Sequence, residues 1–550
     1  MQENKELKQG VSRRDFLKGA SATAAGAAAM GLTGSVIAAE ASPVSGANPF
    51  WMPEKWDYET DILVVGHGAA GCAAAIEACK EGFGEVMVID AAPEGEDRGT
   101  SSVCGQLVLC PTDVEGAIAY QNFSNDPYVV DEDIMRAWAE EICKNIEWLE
   151  SIGIDNMVLR NDSPEFTEAP GADSIATYMY EGMMEYGRFY NALREVEEEF
   201  DHQIFCDTRA RKLIQNPETK EICGAIAETP SGEIAIKAKK GVILTCGGFE
   251  FNEKMMKTYF PVGVVPKGEG SPYNRGDGIK MATAVGADLW HMNNFASTRY
   301  YAQIHGPDAP CSLVRFTQKG YIFVGPDSKR NVYEEWHTAA RHGKMYANGV
   351  WVGLYCPTPA AAIFNQEIFD GAPLMTVAGR GWPAVYMDPP PPETNEEALE
   401  RGLIFKADTV EELAPLVGMD PEILAETVAT YNQYCADQDD KDFGRGKGIE
   451  AASSHGLVAG AGAPFELVPI DPPYYALPLV CGLINSQGGP KRNGRSEILD
   501  IEGNPIPRLF SAGEMGAPYP YKYNGGGNIG EGLSAGRVAA RSAGALAPWE

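Results

Sequence analysis

Apolar positions in this chain gather into short solid runs separated by glycine. Thr60-Asp61-Ile62-Leu63-Val64-Val65 is apolar on both faces, the pattern of a short buried strand. It runs straight into Gly66-His67-Gly68-Ala69-Ala70-Gly71, then an Ala-rich stretch that predicts a helix over 72–80. Glu85-Val86-Met87-Val88-Ile89-Asp90 predicts a second strand closed by an acid. Helical spacing of apolar residues predicts amphipathic helices over 131–152 and 186–199. Asp388-Pro389-Pro390-Pro391-Pro392 can continue neither a helix nor a central strand, and Gly460-Ala461-Gly462-Ala463 lacks a preceding strand; both predict loops. No internal repeat is visible.

The order strand, GxGxxG, helix, strand, acid has a physical reading. Gly66 permits the tight turn, Gly68 lets backbone approach a pyrophosphate, and Gly71 lets helix and strand pack closely. The helix N-terminus offers unpaired N–H groups and a positive dipole end to phosphates. Asp90 can accept hydrogen bonds from a ribose. The pattern predicts a dinucleotide site without choosing between NAD and FAD.

Composition adds bounds. A chain of 550 residues predicts two domains plus a leader, and 44% hydrophobic with 22% charged residues is globular. The net charge of −32 argues against nucleic acid or an anionic membrane as a partner. None of the 12 cysteines forms C-x-x-C or C-x-x-C-H, so buried free thiols are expected. A [4Fe-4S] cluster would need four thiolates brought together by the fold; spacing permits that without showing it, and the metal content stays unknown. At the N-terminus, Ser12-Arg13-Arg14-Asp15-Phe16-Leu17-Lys18 precedes a mild apolar run from Gly19 to Ala39, too short and weak to span a membrane. With the small residues around Val36-Ile37-Ala38 it resembles a twin-arginine signal and cleavage site over 1–40. Residues 41–57, with three prolines, read as a linker.

Later segments decide the cofactor. Arg98-Gly99-Thr100-Ser101-Ser102-Val103-Cys104-Gly105-Gln106 resembles the G-G-N-S-x-x-S-G segment of the fumarate reductase/3-ketosteroid dehydrogenase flavoproteins. Lys240–Phe249, containing Gly247-Gly248, is similar to their second strand-and-glycine element, and Asn274-Arg275-Gly276-Asp277-Gly278-Ile279-Lys280-Met281-Ala282 to their G-D-G-x-x-M-A helix start. Leu509–Glu514 and Asn528–Arg537 resemble the closing flavin segments. The resemblance spans about 58–545 and implies FAD, held by Gly66, Gly68, Ala69, Ala70, Gly71, Asp90, Gly99, Thr100, Ser101, Gly105, Gln106, Gly247, Gly248, Asp277, Gly513, Glu514, Asn528 and Ile529. It implies an α/β fold: a Rossmann-type FAD domain from 58–295 and 482–550, with an inserted α+β cap over 296–481.

The substrate side departs from the dicarboxylate reductases. Their H-x-M-G-G reads Asn485-Ser486-Gln487-Gly488-Gly489 here, and their N-R-x-G-G-N reads Tyr523-Asn524-Gly525-Gly526-Gly527-Asn528. Asn485 and Asn524 replace the His and Arg that hold carboxylates, and an amide cannot replace a bidentate guanidinium. The second segment resembles the ketosteroid dehydrogenase branch, which implies that Tyr523 and the Gly527 N–H polarise a substrate carbonyl as an oxyanion hole. Asp327–Glu334 resembles the cap element G-K-R-F-V-N-E, with Tyr333 where Asn is usual. The resemblance implies a proton donor shortly after it: Arg341, relayed by Glu334, or Tyr333.

The composite implies an ene-reductase of a neutral carbonyl compound, such as the α,β-unsaturated butyrolactone of cardiac glycosides like digoxin. A membrane-bound cytochrome would supply electrons, since no nicotinamide or haem motif is visible. The enzyme would then sit outside the cytoplasm, membrane-associated through that partner. The alternatives are a 3-ketosteroid dehydrogenase, a fumarate-reductase-like enzyme, and a flavin electron carrier without substrate chemistry.

Overall fold

The computed structural model describes residues 51–549 except 98, 161–163, 184–185, 261–263, 335–342, 348–349, 354–355, 376–380 and 448–464. The first strand, Tyr58–Val65, lies between Gly232–Leu244 and Val86–Ile89, parallel to both. Pro505–Ser511 and Gln203–Phe205 extend this parallel set on either side. Glu497–Leu499 and the hairpin Arg209–Gln215/Ile222–Thr229 join it antiparallel, completing eight strands.

Alternation sorts the parallel strands between two cores. Ile62, Val64, Val86, Val88 and Ile243 pack on Ala74, Ala75 and Ala78 of helix Ala69–Lys80 and on Ala539, Ala540 and Ala543 of helix Gly527–Gly544. Leu63, Val65, Met87, Ile89, Val242 and Leu244 face the opposite way, onto Phe249, Met256 and Ile279. The alanines are there because the two helices meet closely: a Cβ on Gly536 would stand 2.6 Å from the Ala70 carbonyl oxygen. The first helix starts at Ala69, three residues before its expected start. Gly68 is its cap, so the second half of the glycine motif already forms the first turn.

A second, seven-stranded sheet is organised around Tyr474–Leu483. That strand pairs antiparallel with Arg299–Ala302, Ala360–Phe364 and Phe405–Ala407, and parallel with Lys267–Gly268. Helix Pro421–Asp437 covers one face through Leu424, Val428 and Tyr431. Its Asp420 cap accepts the Glu422 and Ile423 amides at 3.0 Å. Two short antiparallel ladders, Leu289–Trp290 with Gly489–Pro490 and Phe295–Ala296 with Asn485–Ser486, place the outgoing and returning chain side by side.

The 131–152 stretch is two helices, Glu132–Ile142 and Asn145–Ser151, rather than one. The buried Arg537 guanidinium takes up the Glu141 carbonyl at 3.1 Å and Asn145 Oδ1 at 2.9 Å, so the break carries a buried cation. The expected 186–199 helix runs Arg188–Glu197. Asp388–Pro392 is irregular, whereas Gly460–Ala463 falls outside the described residues. Among the described residues no helix is long and apolar enough to cross a membrane.

Candidate functional site

One cavity collects the glycine turn and the strand ends above the first sheet. It is lined by all of the expected FAD residues except Gly71 and Gly248. Those two are packing positions: a Cβ on Gly71 would stand 2.1 Å from the Gly66 carbonyl oxygen, and one on Gly248 would meet Glu250 and Ser486 at 2.3 Å.

Each part of the turn has a fixed partner. Asp90 Oδ2 accepts the His67 amide and Oδ1 the Ala92 amide, both at 2.8 Å. Burial raises the Asp90 pKa, and those two amides oppose the shift. Ser101 Oγ accepts the Ala69 amide at 3.0 Å, and Thr100 Oγ1 accepts from Ser271 at 3.1 Å and Asn274 at 3.2 Å. Asp277 is held by Arg209 Nε at 2.7 Å.

Helices Ala69–Lys80 and Gly527–Gly544 both bring their N-terminal residues to this cavity. Their glycine caps provide no side-chain bond, and neither helix has an acid in its first turn. Two positive helix ends whose glycine caps give no side-chain bond, beside the buried Asp90, fit a dinucleotide: one end suits the pyrophosphate, the other an electron-rich ring edge. The residues present fit FAD.

Elsewhere on the wall, Tyr523 lines the cavity and stacks on Tyr519, with ring centroids 5.4 Å apart. Its oxygen accepts from Asn528 Nδ2 at 3.2 Å, while Asn528 is held by Asn485 and Gln487, each at 3.0 Å. The Tyr523 oxygen therefore accepts within the chain. Gly527 differs from expectation. Its N–H donates to the Asn524 carbonyl at 2.9 Å, closing the turn before the helix, and the residue does not line the cavity. The backbone lining there belongs to Gly525 and Gly526.

Asn485 and Asn524 are both buried and committed to the protein. Asn524 Oδ1 accepts from the Tyr120 hydroxyl at 2.7 Å and the Glu165 amide at 2.9 Å. Tyr333 is 4% exposed and is not among the cavity residues; Arg341 lies outside the described residues. Glu334, the expected relay, is locked between Arg330, at 2.9 Å through both carboxylate oxygens, and Arg445 at 3.7 Å. Sequence reading missed Arg160, Glu165, Ser297 and Arg299, which also line the cavity. Ser297 carries φ +57° and Gln106, on the same cavity wall, φ +58°, both unusual for non-glycine residues.

His67, between the first two glycines of the motif, heads a buried cluster. Its ring nitrogens lie 3.0 Å from Asp97 and 2.9 Å from Glu197, and Arg194 stands beside both. Burial pushes the His67 pKa down, but Cys72, Glu197 and the Asp97 bond together hold it well above the usual range. His67, Cys72 and Glu197 are the one group among the described residues that brings three metal-type ligand atoms within 4.8 Å. Arg194 already supplies that cluster with a cation. All twelve cysteines are free thiols.

A cavity above a parallel sheet, walled by the glycine turn, Asp90 and two helix N-termini, is that of an FAD-dependent oxidoreductase. The chain belongs to the FAD binding domain family, whose model matches residues 61–529. It is similar over 99% of both chains to the digoxin reductase of Eggerthella lenta, with 27% identity. It is 26% identical to a probable fumarate reductase of Shewanella frigidimarina over 88% of this chain and 74% of that one. The fold matches the crystal structure of 3-ketosteroid Δ1-dehydrogenase from Sterolibacterium denitrificans, with a TM-score of 0.68, 23% identity, and coverage of 88% and 99%. Residues 10–30 match the twin-arginine translocation signal, so the chain is an exported flavoenzyme.

Proposed function

We propose that this enzyme reduces a conjugated C=C in a neutral carbonyl compound, with the unsaturated butyrolactone of a cardiac glycoside as the model substrate. The observation that carries this reading is the state of Asn485 and Asn524. Where dicarboxylate reductases place His and Arg, this chain has neutral amides whose side chains bond to the protein. The full-length likeness to digoxin reductase supports the same substrate class.

Bound FAD supplies the hydride. Tyr523, oriented by Asn528, donates its phenolic hydrogen bond to the carbonyl oxygen and stabilises the negative charge that builds there as the β-carbon is reduced. The buried Tyr519 ring holds the Tyr523 ring in place and excludes water behind it. The α-carbon then takes a proton from the cap side, where Arg341 remains the proposed donor. Glu334, the proposed relay, is held by Arg330 and Arg445. In this reading 58–295 and 482–550 hold the cofactor and 296–481 close over it. Export puts the site outside the NADH pool, which suits a membrane-bound cytochrome as electron donor.

Arg160 and Arg299 on the cavity wall favour a second reading, a carboxylate-bearing alkene. An anaerobic assay of the purified holoenzyme with reduced methyl viologen separates the two. Digoxin should be consumed and fumarate should not. Fumarate turnover with no turnover of any neutral enone or unsaturated lactone would sink the proposal.

A further inference from the structure

Beside the flavin cavity lies a second, smaller one whose lining includes Ala137, Trp138, Trp290, Arg492, Glu531 and Ala535. Ala137 and Ala535 are partly exposed, so it reaches the surface. Arg492 and Glu531, 4% and 1% exposed, form an ion pair inside it. Arg492 Nη1 and Glu531 Oε2 are buried and have no hydrogen-bond partner among the described residues. Burying an ion pair while leaving a donor and an acceptor unmet is costly. Both belong to residues of the cavity wall, and one donor plus one acceptor is what an ordered water needs.

The pair also reaches toward the flavin cavity. Gly532, the residue after Glu531, lines the flavin cavity together with Gly513 and Glu514, and the Gly513 amide pulls the Glu531 pKa down. Burial pushes the Glu531 pKa up to about 7 against the pull of Arg492. Burial, with Glu250 and Glu531 nearby, holds Glu514 well above the usual carboxylate range. The other charged and titratable groups around Glu531 are Tyr519 and, on the same cavity wall, Glu141, which is engaged by Arg537 and Arg541.

Saturating a C=C consumes two protons with two electrons, and inside a closed site the protons need a route through protein. We propose that the cavity between Trp138 and Trp290 is the proton entry, and that Glu531 passes protons from its water to Glu514 at the flavin cavity. Glu531 loses its carboxyl proton to Glu514 and regains one from water; Arg492 stays protonated and fixes the carboxylate. The electrons come from the external donor through FAD. The proposal requires only an FAD-dependent reductase, so its test uses no substrate.

The experiment reduces the anaerobic holoenzyme with methyl viologen in weak buffer and follows proton uptake with a pH-indicator dye. A direct general acid contributes ~10²–10⁴-fold, and a relay one step removed should cost on the order of tenfold. Glu531→Gln should slow uptake by that factor with FAD content unchanged, and Glu531→Asp should restore part of it. Glu531→Gln should also remove the infrared carbonyl band of a buried protonated carboxyl near neutral pH. Ala535→Phe, which narrows the cavity and leaves the ion pair intact, should slow uptake while keeping that band. If Glu531→Gln fails to fold, Ala535→Phe decides alone. Uptake at wild-type speed in Ala535→Phe, or in a folded Glu531→Gln, overturns the proposal.

Discussion

The two parts of the main cavity are built from different materials. Around Gly66–Gly71 and Asp90 the work is done by backbone: amides, helix ends and glycines that let chains meet. Around Tyr523 it is done by side chains from distant segments: Asn528, Asn485 and Gln487, with Arg160 and Arg299 on the wall. Backbone chemistry tolerates many neighbours but few residue types at its own positions. The side-chain part can be rebuilt without disturbing the rest, which suits a fold shared by relatives named for fumarate, 3-ketosteroids and digoxin.

The sharpest way to break the comparison is Gly71→Val. A Cβ there would stand 2.1 Å from the Gly66 carbonyl oxygen, and that backbone has no room to move. Overpacking costs about 1–3 kcal/mol or more in ordinary cores. The expected result is soluble protein stripped of FAD, or none at all, read from the flavin-to-protein absorbance ratio. A fully loaded, stable variant would mean the turn is looser than its geometry implies. Tyr523→Phe should do the opposite: FAD stays bound and the melting temperature is kept, while turnover falls by on the order of 10²-fold, as for one lost oxyanion donor. Unchanged turnover removes the phenol from the mechanism.

The same contrast explains what could be read from the residues alone. Glycine spacing and strand patterning encode backbone approach directly, so the first two strands, the first helix and a dinucleotide site were legible; FAD came from the resemblance of the later segments. Gly527 shows the limit: its segment pointed to an amide donor, but whether that amide is already spent on Asn524 depends on the turn's closure. The helix break at Cys143–Lys144 is met by Arg537, 396 residues from Glu141 in sequence, which no local pattern could reveal. Arg160, Glu165 and Arg299 sit in segments with no motif, and only the fold brings them to one wall. Glu334 was expected to relay protons to Arg341, which lies outside the described residues; its described partners are Arg330 and Arg445.

His67 joins the two materials, since its amide serves the turn and its ring anchors a side-chain cluster. The smallest predicted effect tests whether that cluster supports the turn. Asp97 is partly desolvated, which raises its pKa, yet the His67 bond and the charges of His67 and Arg194 bring it down to about 2. A depressed carboxylate contributes stability that is fully present above its unfolded pKa, about 3.9. That contribution is lost as pH falls through the folded value. The raised His67 pKa works in the other direction: its contribution is full below about 6.5 and fades only as pH rises through the higher folded value. Wild-type melting temperature should therefore fall between about pH 4 and about pH 2 more steeply than that of Asp97→Asn, which has lost the titrating group. Parallel acid profiles for the two proteins would separate the cluster from stability and leave the glycine turn standing on backbone alone.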